Sequence, residues 1–183
     1  MSATVAVSPF TGTYSADPDH SSVGFAVPHM GVSMFRGSFS GFRASVAVDG
    51  DGTLTLSGAA QVQSISIATP AELRSHVLGA DFLDADNHPA IGFESVSAVL
   101  GEDGTITVQG RLTIRNVTRT VVASGTYAAP VEDPYGATRA AIELTTTIDR
   151  RDYGMTWNLP LPKGGDALGT QVTLTVHLEL IGG

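Results

Sequence analysis

The side chains of this sequence best suited to bind a metal or move a proton are its histidines: His20, His29, His76, His88 and His177. No two of them have the close spacing of a familiar zinc motif, so the sequence predicts no metal site. His29 and His76 stand beside apolar positions, where they could meet the polar end of a ligand. His20 is expected in a turn, and His177 on the exposed face of a strand.

Motifs for covalent or metal-assisted catalysis are missing from the sequence. It contains no cysteine, no Gly-x-Ser-x-Gly nucleophile elbow, no phosphate-binding glycine loop and no metalloprotease helix. Arg150 could contact an anionic head group such as a phosphate, or it could pin a strand end in an ion-pair cluster with Arg151 and Asp152. The structural role is favoured. The sequence therefore predicts no catalytic residue and no enzyme.

Aromatic side chains offer a different chemistry, which is the shielding of an apolar ligand from water. The candidates are Phe25, Phe35, Phe39, Phe42, Phe82, Phe93 and Trp157. Inward aromatic side chains usually fill a core, so the same set also fits a purely structural interpretation.

These side chains have to be positioned by β-strands, because alternation of period two dominates the sequence. The clearest strand covers residues 171–181, where every second side chain from Val172 to Leu180 is apolar. A change of parity after Gly41 predicts a bulge. Further strands are predicted at residues 90–100, 105–114, 119–127 and 137–150.

One segment breaks the alternation and predicts a short helix over about residues 70–78. Thr69 can cap its N-terminus, Pro70 suits the first helical position, and Glu72 completes a capping box. Gly79 is placed to end the helix.

The length and the strand count predict one all-β domain. A chain of 183 residues is long enough for a barrel with a sizeable interior. About eight strands with local hairpin connections favour an eight-stranded antiparallel barrel, because closure removes exposed strand edges. An immunoglobulin-type sandwich is the alternative, but its Cys–Trp–Cys framework is missing.

Composition and charge exclude several classes of partner. The formal net charge is −8 and the only lysine is Lys163, whereas nucleic-acid binding needs clustered cations. No window holds 18 consecutive apolar residues, and an anionic membrane surface would repel the chain, so no stable membrane insertion is expected. Residues 1–12 lack the basic start and apolar stretch of a secretory signal, which favours a cytoplasmic protein.

Four elements stand in order along the chain, and their most distinctive residues are Asp19-His20-Ser21, Asp81-Phe82, Gly110–Val121 and Arg150-Arg151-Asp152-Tyr153-Gly154. Together they resemble the YceI family, the lipocalin-like polyisoprenoid-binding proteins. The resemblance runs from about Tyr14 to Leu180, so residues 14–183 are assigned to the barrel domain and residues 1–13 to an N-terminal extension. Asn116 departs from the glycine usual at its position, but asparagine also accepts a left-handed backbone.

This resemblance implies a lipocalin-like eight-stranded barrel, extended by a helix, with an elongated apolar tunnel. The tunnel would hold a polyisoprenoid or an isoprenoid quinone, and no other cofactor is expected. Homodimers are common in the family, and many members are exported to the periplasm. The side chains expected to contact the lipid are Phe25, Val27, His29, Phe35, Phe39, Phe42, Leu73, His76, Val77, Phe82, Phe93, Ile114, Tyr153 and Trp157, with Arg150 as a candidate head-group contact.

Two other functions stay open from the sequence alone. The barrel could hold a haem or support oxidative chemistry, with His29 or His76 as an axial ligand. It could also be a dry, ligand-free structural or stress-related barrel that acts through its surface.

Overall fold

Ten antiparallel strands and one α-helix make up the fold of residues 8–183, the part of the chain that the computed structural model describes. The helix α1 covers Ala71–Leu78. The five strands predicted in the second half of the chain coincide with the last five strands observed. The strands are β1 (Gly12–Ala16), β2 (Ser22–His29), β3 (Ser33–Phe39), β4 (Phe42–Val48), β5 (Leu54–Gln61), β6 (Ala90–Leu100), β7 (Thr105–Ile114), β8 (Val117–Glu132), β9 (Thr138–Asp149) and β10 (Gln171–Gly182).

The sheet closes into a ring because β10 pairs with β9 along one side and with both β1 and β2 along the other. Near its end, Gly182 lies opposite Tyr14 of β1, and nearer its start Leu174 lies opposite Phe25 of β2. β1 also pairs with β4, and β2 with β3, so β1 and β2 form one interrupted strand and β3 and β4 another. The ring then has eight members, and the predicted eight-stranded antiparallel barrel is confirmed.

The interruption between β1 and β2 is held by an ion-pair network that we call the Arg139 cluster: Asp17, His20, Asp133, Arg139 and Glu179. The guanidinium of Arg139 lies 2.9 Å from Asp17 Oδ2, 2.6 Å from Glu179 Oε1 and 2.8 Å from Asp133 Oδ2. His20 Nδ1 lies 3.0 Å from the same oxygen of Asp17. One side chain of β9 therefore ties together the strand break, β10 and the turn after β8.

The interruption between β3 and β4 lies at Ser40 and Gly41. A Cβ atom at position 41 would lie 2.8 Å from Oε1 of Gln61 and 3.0 Å from Cβ of Ser64. The carbonyl of Gly41 also accepts a hydrogen bond of 2.7 Å from the N–H of Gln61. The close approach of residues 61–64 therefore leaves little room for a larger side chain at position 41, where the change of parity predicted a bulge.

Apolar side chains fill one end of the barrel completely. Phe10 belongs to this core and packs edge-on against Tyr14, with ring centroids 5.6 Å apart, so side chains that precede Tyr14 contribute to the interior. The buried members of the core are Phe10, Tyr14, Val46, Leu54, Leu56, Ile106, Val108, Ala123, Ala140, Ile142, Leu144, Leu178 and Leu180.

The helix α1 packs at the other end, where Val77 and Leu78 contact a smaller cluster around Phe39 and Ile65. The predicted capping box does not form, since no side chain caps the first turn. The N–H groups of Leu73 and Arg74 donate to the carbonyl of Pro70 instead. Among residues 8–183, no helix is long and apolar enough to cross a membrane.

The Arg139 cluster makes the stability of the fold depend on pH on the acid side. Hydrogen bonds from Arg139 and His20 lower the pKa of Asp17 from 3.8 to about 2. Asp17 therefore stabilises the fold above its ordinary pKa, and this contribution is lost as the pH falls towards 2. We expect Asp17→Asn to lower the thermal midpoint at about pH 5 and to flatten its decline below about pH 4.

Thermal melts followed by circular dichroism between about pH 2 and pH 5 check this expectation. Asp51→Asn is the matched control, because Asp51 is exposed in the turn between β4 and β5. Equal pH profiles for the two variants would show that the Asp17 ion pair contributes nothing to stability.

Candidate ligand-binding site

An apolar cavity of about 160 Å³ lies inside the barrel, beside the filled end. Its lining is almost wholly apolar. The hydroxyl of Thr146, one of the few polar groups at its wall, donates to the carbonyl of Val122, and Ser57 shares a hydrogen bond with Ser45. Arg43 also borders the cavity but is exposed to solvent. Because the two hydroxyls already have partners, the cavity offers a ligand apolar contact and little else.

The cavity exists because small residues take inward positions on neighbouring strands. Ala44, Gly58 and Ala60 face inward on β4 and β5, and Ala123 extends the wall on β8. The interior of an eight-stranded barrel is just wide enough for ordinary side chains to fill it. Glycine and alanine therefore leave a void where larger residues would have closed the core.

Four of the fourteen side chains predicted to contact a lipid line this cavity: Phe39, Phe42, Phe93 and Ile114. Phe25 continues from the cavity wall, with its ring centroid 5.8 Å from that of Phe39 and 6.3 Å from that of Phe35. Val27 is buried opposite Phe35. The inner faces of β2 and β3 thus carry an apolar row from the cavity towards the β2–β3 hairpin.

A second group of predicted residues meets away from the cavity. The ring of His76 lies 4.5 Å from that of Trp157 and 5.0 Å from that of Phe82, both edge-on. Nε2 of His76 lies 3.1 Å from Oδ2 of Asp81. Of the two remaining residues of α1, Val77 packs inward and Leu73 is exposed. This aromatic group joins α1 to the segment after Tyr153.

Neither His29 nor His76 is placed for an axial haem ligand in the cavity. His29 pairs through its backbone with Leu168, and His76 is held by Asp81 and its aromatic neighbours. Neither histidine is among the residues that line the cavity. No observation of the described part of the chain therefore favours the haem-binding alternative.

Tyr153 is buried in an apolar cluster with Leu112 and Ile114. Its hydroxyl has no hydrogen-bond partner, and burial raises the pKa of Tyr153 to about 12. Nδ1 of His88 is likewise buried and unpaired. The neutral hydroxyl of Tyr153 is thus a hydrogen-bond donor without an acceptor in an apolar setting, which lowers the stability of the fold.

Arg150 is buried among carbonyl groups of its own chain. Its guanidinium donates to Gly169 at 2.8 Å, to Trp157 at 2.9 Å, and to Met155 and Leu168. It is not among the residues that line the cavity. Arg150 therefore holds the segment 155–169 against the barrel through carbonyl groups and not through the predicted ion-pair cluster, since Arg151 pairs with Asp149 instead.

Two features of the structure were not predicted from the sequence: a group of carboxylates with a histidine, and the small residues around the cavity. Asp17, His20 and Glu179 have ligand atoms close enough together to bind a cation, but the guanidinium of Arg139 already lies on two of them. The second feature that was not predicted is the set of small inward residues that form the cavity. Gly58 and Ala60 continue the inward row that begins with Leu54 and Leu56 on β5, which is the signal that could have revealed them.

The sequence profile of the YceI-like domain matches residues 14–180. The chain belongs to the YceI-like family. A UPF0312 protein of Ectopseudomonas mendocina is 32% identical over 141 residues, which make up 76% of this chain and 74% of that protein.

Solved structures share the fold of this YceI-like chain. Burkholderia cenocepacia BcnA has a TM-score of 0.73 at 21% identity, over 90% of this chain and 98% of BcnA. A polyisoprenoid binding domain from Saccharophagus degradans, implicated in plant cell wall breakdown, has a TM-score of 0.62 at 12% identity, over 93% of this chain and 98% of that domain. The family resemblance and the lipocalin-like barrel that the sequence predicts are thereby confirmed.

Replacing Arg150 of the YceI-like chain should loosen the segment it holds. Lysine offers one ammonium group in place of a planar fork, so Arg150→Lys leaves several buried carbonyls unpaired. We expect a loss of about 3 kcal/mol in the free energy of unfolding, measured by urea denaturation. Arg151→Lys, at an exposed position paired with Asp149, is the control. A smaller loss for Arg150→Lys than for the control would contradict this role.

Removing the hydroxyl of Tyr153 should instead raise the free energy of unfolding. Because this hydroxyl is buried without a partner, we expect Tyr153→Phe to stabilise the empty YceI-like chain by about 1 kcal/mol. Urea denaturation of delipidated protein gives the measurement. A loss of stability of similar size would mean that a water or a retained ligand satisfies the hydroxyl.

Proposed function

We propose that this YceI-like protein binds a long apolar lipid of the isoprenoid class, such as a polyprenol derivative or an isoprenoid quinone, with its tail inside the barrel. The observation that carries the proposal is the apolar cavity and the aromatic row that leads from it. Membership of the YceI-like family supports it, as does the shared fold with a domain described as polyisoprenoid-binding.

The size of the cavity decides how such a ligand would fit. A cavity of about 160 Å³ suits one small apolar fragment, because cavities of about 150 Å³ hold molecules the size of benzene. Pockets for whole ligands usually measure about 300–1,000 Å³. A longer tail therefore needs additional space, and Phe25 and Phe35, which stand next to the cavity, are only half-buried. These two rings are the side chains that move when the tail enters.

Apolar contact alone can supply the affinity. At about 25 cal/mol per Å² of apolar area removed from water, a tail of several isoprene units reaches micromolar affinity without a polar anchor. The hydroxyls of Ser57 and Thr146 at the cavity wall are already hydrogen-bonded, and the lining contains no histidine, carboxylate or cysteine that could activate them or transfer a proton. A binding or carrier role is thus favoured over an enzymatic one. The cytoplasmic location and the homodimer stay predictions.

Filling the cavity tests this proposal. Ala44 points into the cavity, whereas Ala47 lies on the outer face of the same strand. We expect Ala44→Leu to weaken the binding of farnesol and geranylgeraniol roughly tenfold, because the added side chain takes the space of the ligand. Ala47→Leu should bind as the unchanged protein does. Titration followed by Trp157 fluorescence and native mass spectrometry gives both affinities.

Native mass spectrometry also examines the ligand that the protein carries from its host. A prenyl lipid should be released by organic extraction of the purified protein. Empty protein that takes up no prenyl alcohol would refute the proposal. Circular dichroism separates weaker binding from a folding defect, because overpacking can cost about 1–3 kcal/mol.

A further inference from the structure

The end of the barrel at the β2–β3 hairpin exposes apolar side chains to solvent. Val32 is 79% exposed and Met30 is 44% exposed, both between the strands of that hairpin. Leu159, in the segment that Arg150 holds, is 55% exposed. We call Met30, Val32 and Leu159 the apolar tip. Grouped apolar exposure of this kind marks an interaction surface, whereas single exposed valines do not.

The two loops of the apolar tip form one unit. The N–H of Met30 donates to the carbonyl of Ala167 at 2.7 Å, and the N–H of Gly169 donates to Pro28 at 2.8 Å. Within the second loop, the N–H of Ala167 donates to the carbonyl of Leu159 at 2.8 Å. Main-chain hydrogen bonds thus hold the hairpin and the segment around Leu159 side by side.

The charge around the apolar tip differs from that of the whole chain. Although the net charge is −8, no aspartate or glutamate occurs from position 20 to position 48, the stretch that contains β2, β3 and β4. Arg36 is exposed on β3, and Lys163 and Asp166 are both exposed in the loop that follows Leu159. An anionic surface that repels the chain as a whole therefore meets little repulsion at this end.

We propose that the apolar tip docks transiently on the surface of a lipid bilayer, where the protein exchanges its ligand. This inference rests on the proposed function, because it names the surface from which the apolar ligand comes. The β2–β3 hairpin connects the apolar tip to the cavity. Phe25, Val27 and Phe35 on the inner face of the β2–β3 hairpin lead to the cavity, and the same hairpin carries Met30 and Val32 at its turn.

Two kinds of observation point to a lipid surface. The exposed side chains of the tip are aliphatic, and two exposed cations, Arg36 and Lys163, accompany them against one exposed carboxylate, Asp166. This combination suits the boundary between head groups and acyl chains, where apolar area and attraction to anionic lipids both contribute. The contact is shallow and reversible, because three side chains bury little area.

The experiment uses the full chain with vesicles of phosphatidylcholine and phosphatidylglycerol in equal amounts. Flotation measures the bound fraction, and lipids with brominated acyl chains quench Trp157, the only tryptophan, which is two residues from Leu159. We expect the double variant Val32→Asp, Leu159→Asp to bind vesicles roughly tenfold more weakly and to lose the quenching.

The double variant Val99→Asp, Val122→Asp is the matched control. Val99 and Val122 are 67% and 55% exposed on β6 and β8, so the added charge and the exposure are similar. The control should bind vesicles as the unchanged protein does. Equal loss in both double variants, or no flotation of the unchanged protein, overturns the proposal.

Farnesol binding in vesicle-free buffer, measured on the same proteins, separates the two proposals. If the tip variant binds farnesol normally but no longer floats with vesicles, docking through the apolar tip is supported. Vesicle binding without any farnesol binding would retain the docking surface and refute the proposed function. A dimer that the tip variant dissociates, with no vesicle binding, would assign the tip to a second copy of the chain and overturn the lipid surface.

Discussion

Closure of the barrel through β10 is the constraint on which the rest of the structure depends. This strand pairs with β9 along its whole length and with β1 and β2 on its other side. Through β1 it closes the sheet, in which β3 alone has a strand neighbour on one side only, and closure is how antiparallel sheets avoid aggregation. The break between β1 and β2 would weaken this pairing. The Arg139 cluster lies at that break and joins it to β10 through Glu179.

The interior divides into a filled part and an open part because of residue volume rather than residue polarity. Leucine, isoleucine and valine close one end, and glycine and alanine leave the cavity beside it. Both parts show the same alternation in the sequence. A period of two tells which face a side chain occupies, but the volume left between eight converging strands depends on residues that are distant in sequence.

The fold was predictable from the sequence to a greater extent than the site. Strand positions, the helix and the eight-membered ring follow from local alternation, turns and the family elements. Phe39, Phe42, Phe93 and Ile114 were placed on the correct face and do line the cavity. The environment of Arg150 could not be predicted, because its carbonyl partners lie in an irregular segment whose path no local pattern specifies. The Arg139 cluster could not be predicted for a related reason, since positions 17 and 139 meet only when the barrel closes.

The strand order also has a consequence for how the protein emerges from the ribosome. Tyr14 is made early, yet its partner Gly182 lies in the last strand of the barrel. Until β10 is synthesised, β9 and β2 each keep an unpaired edge on the side that β10 will occupy. Such non-local pairing slows folding and exposes the nascent chain to wrong association. Efficient production of this protein therefore depends on protecting those two edges during translation.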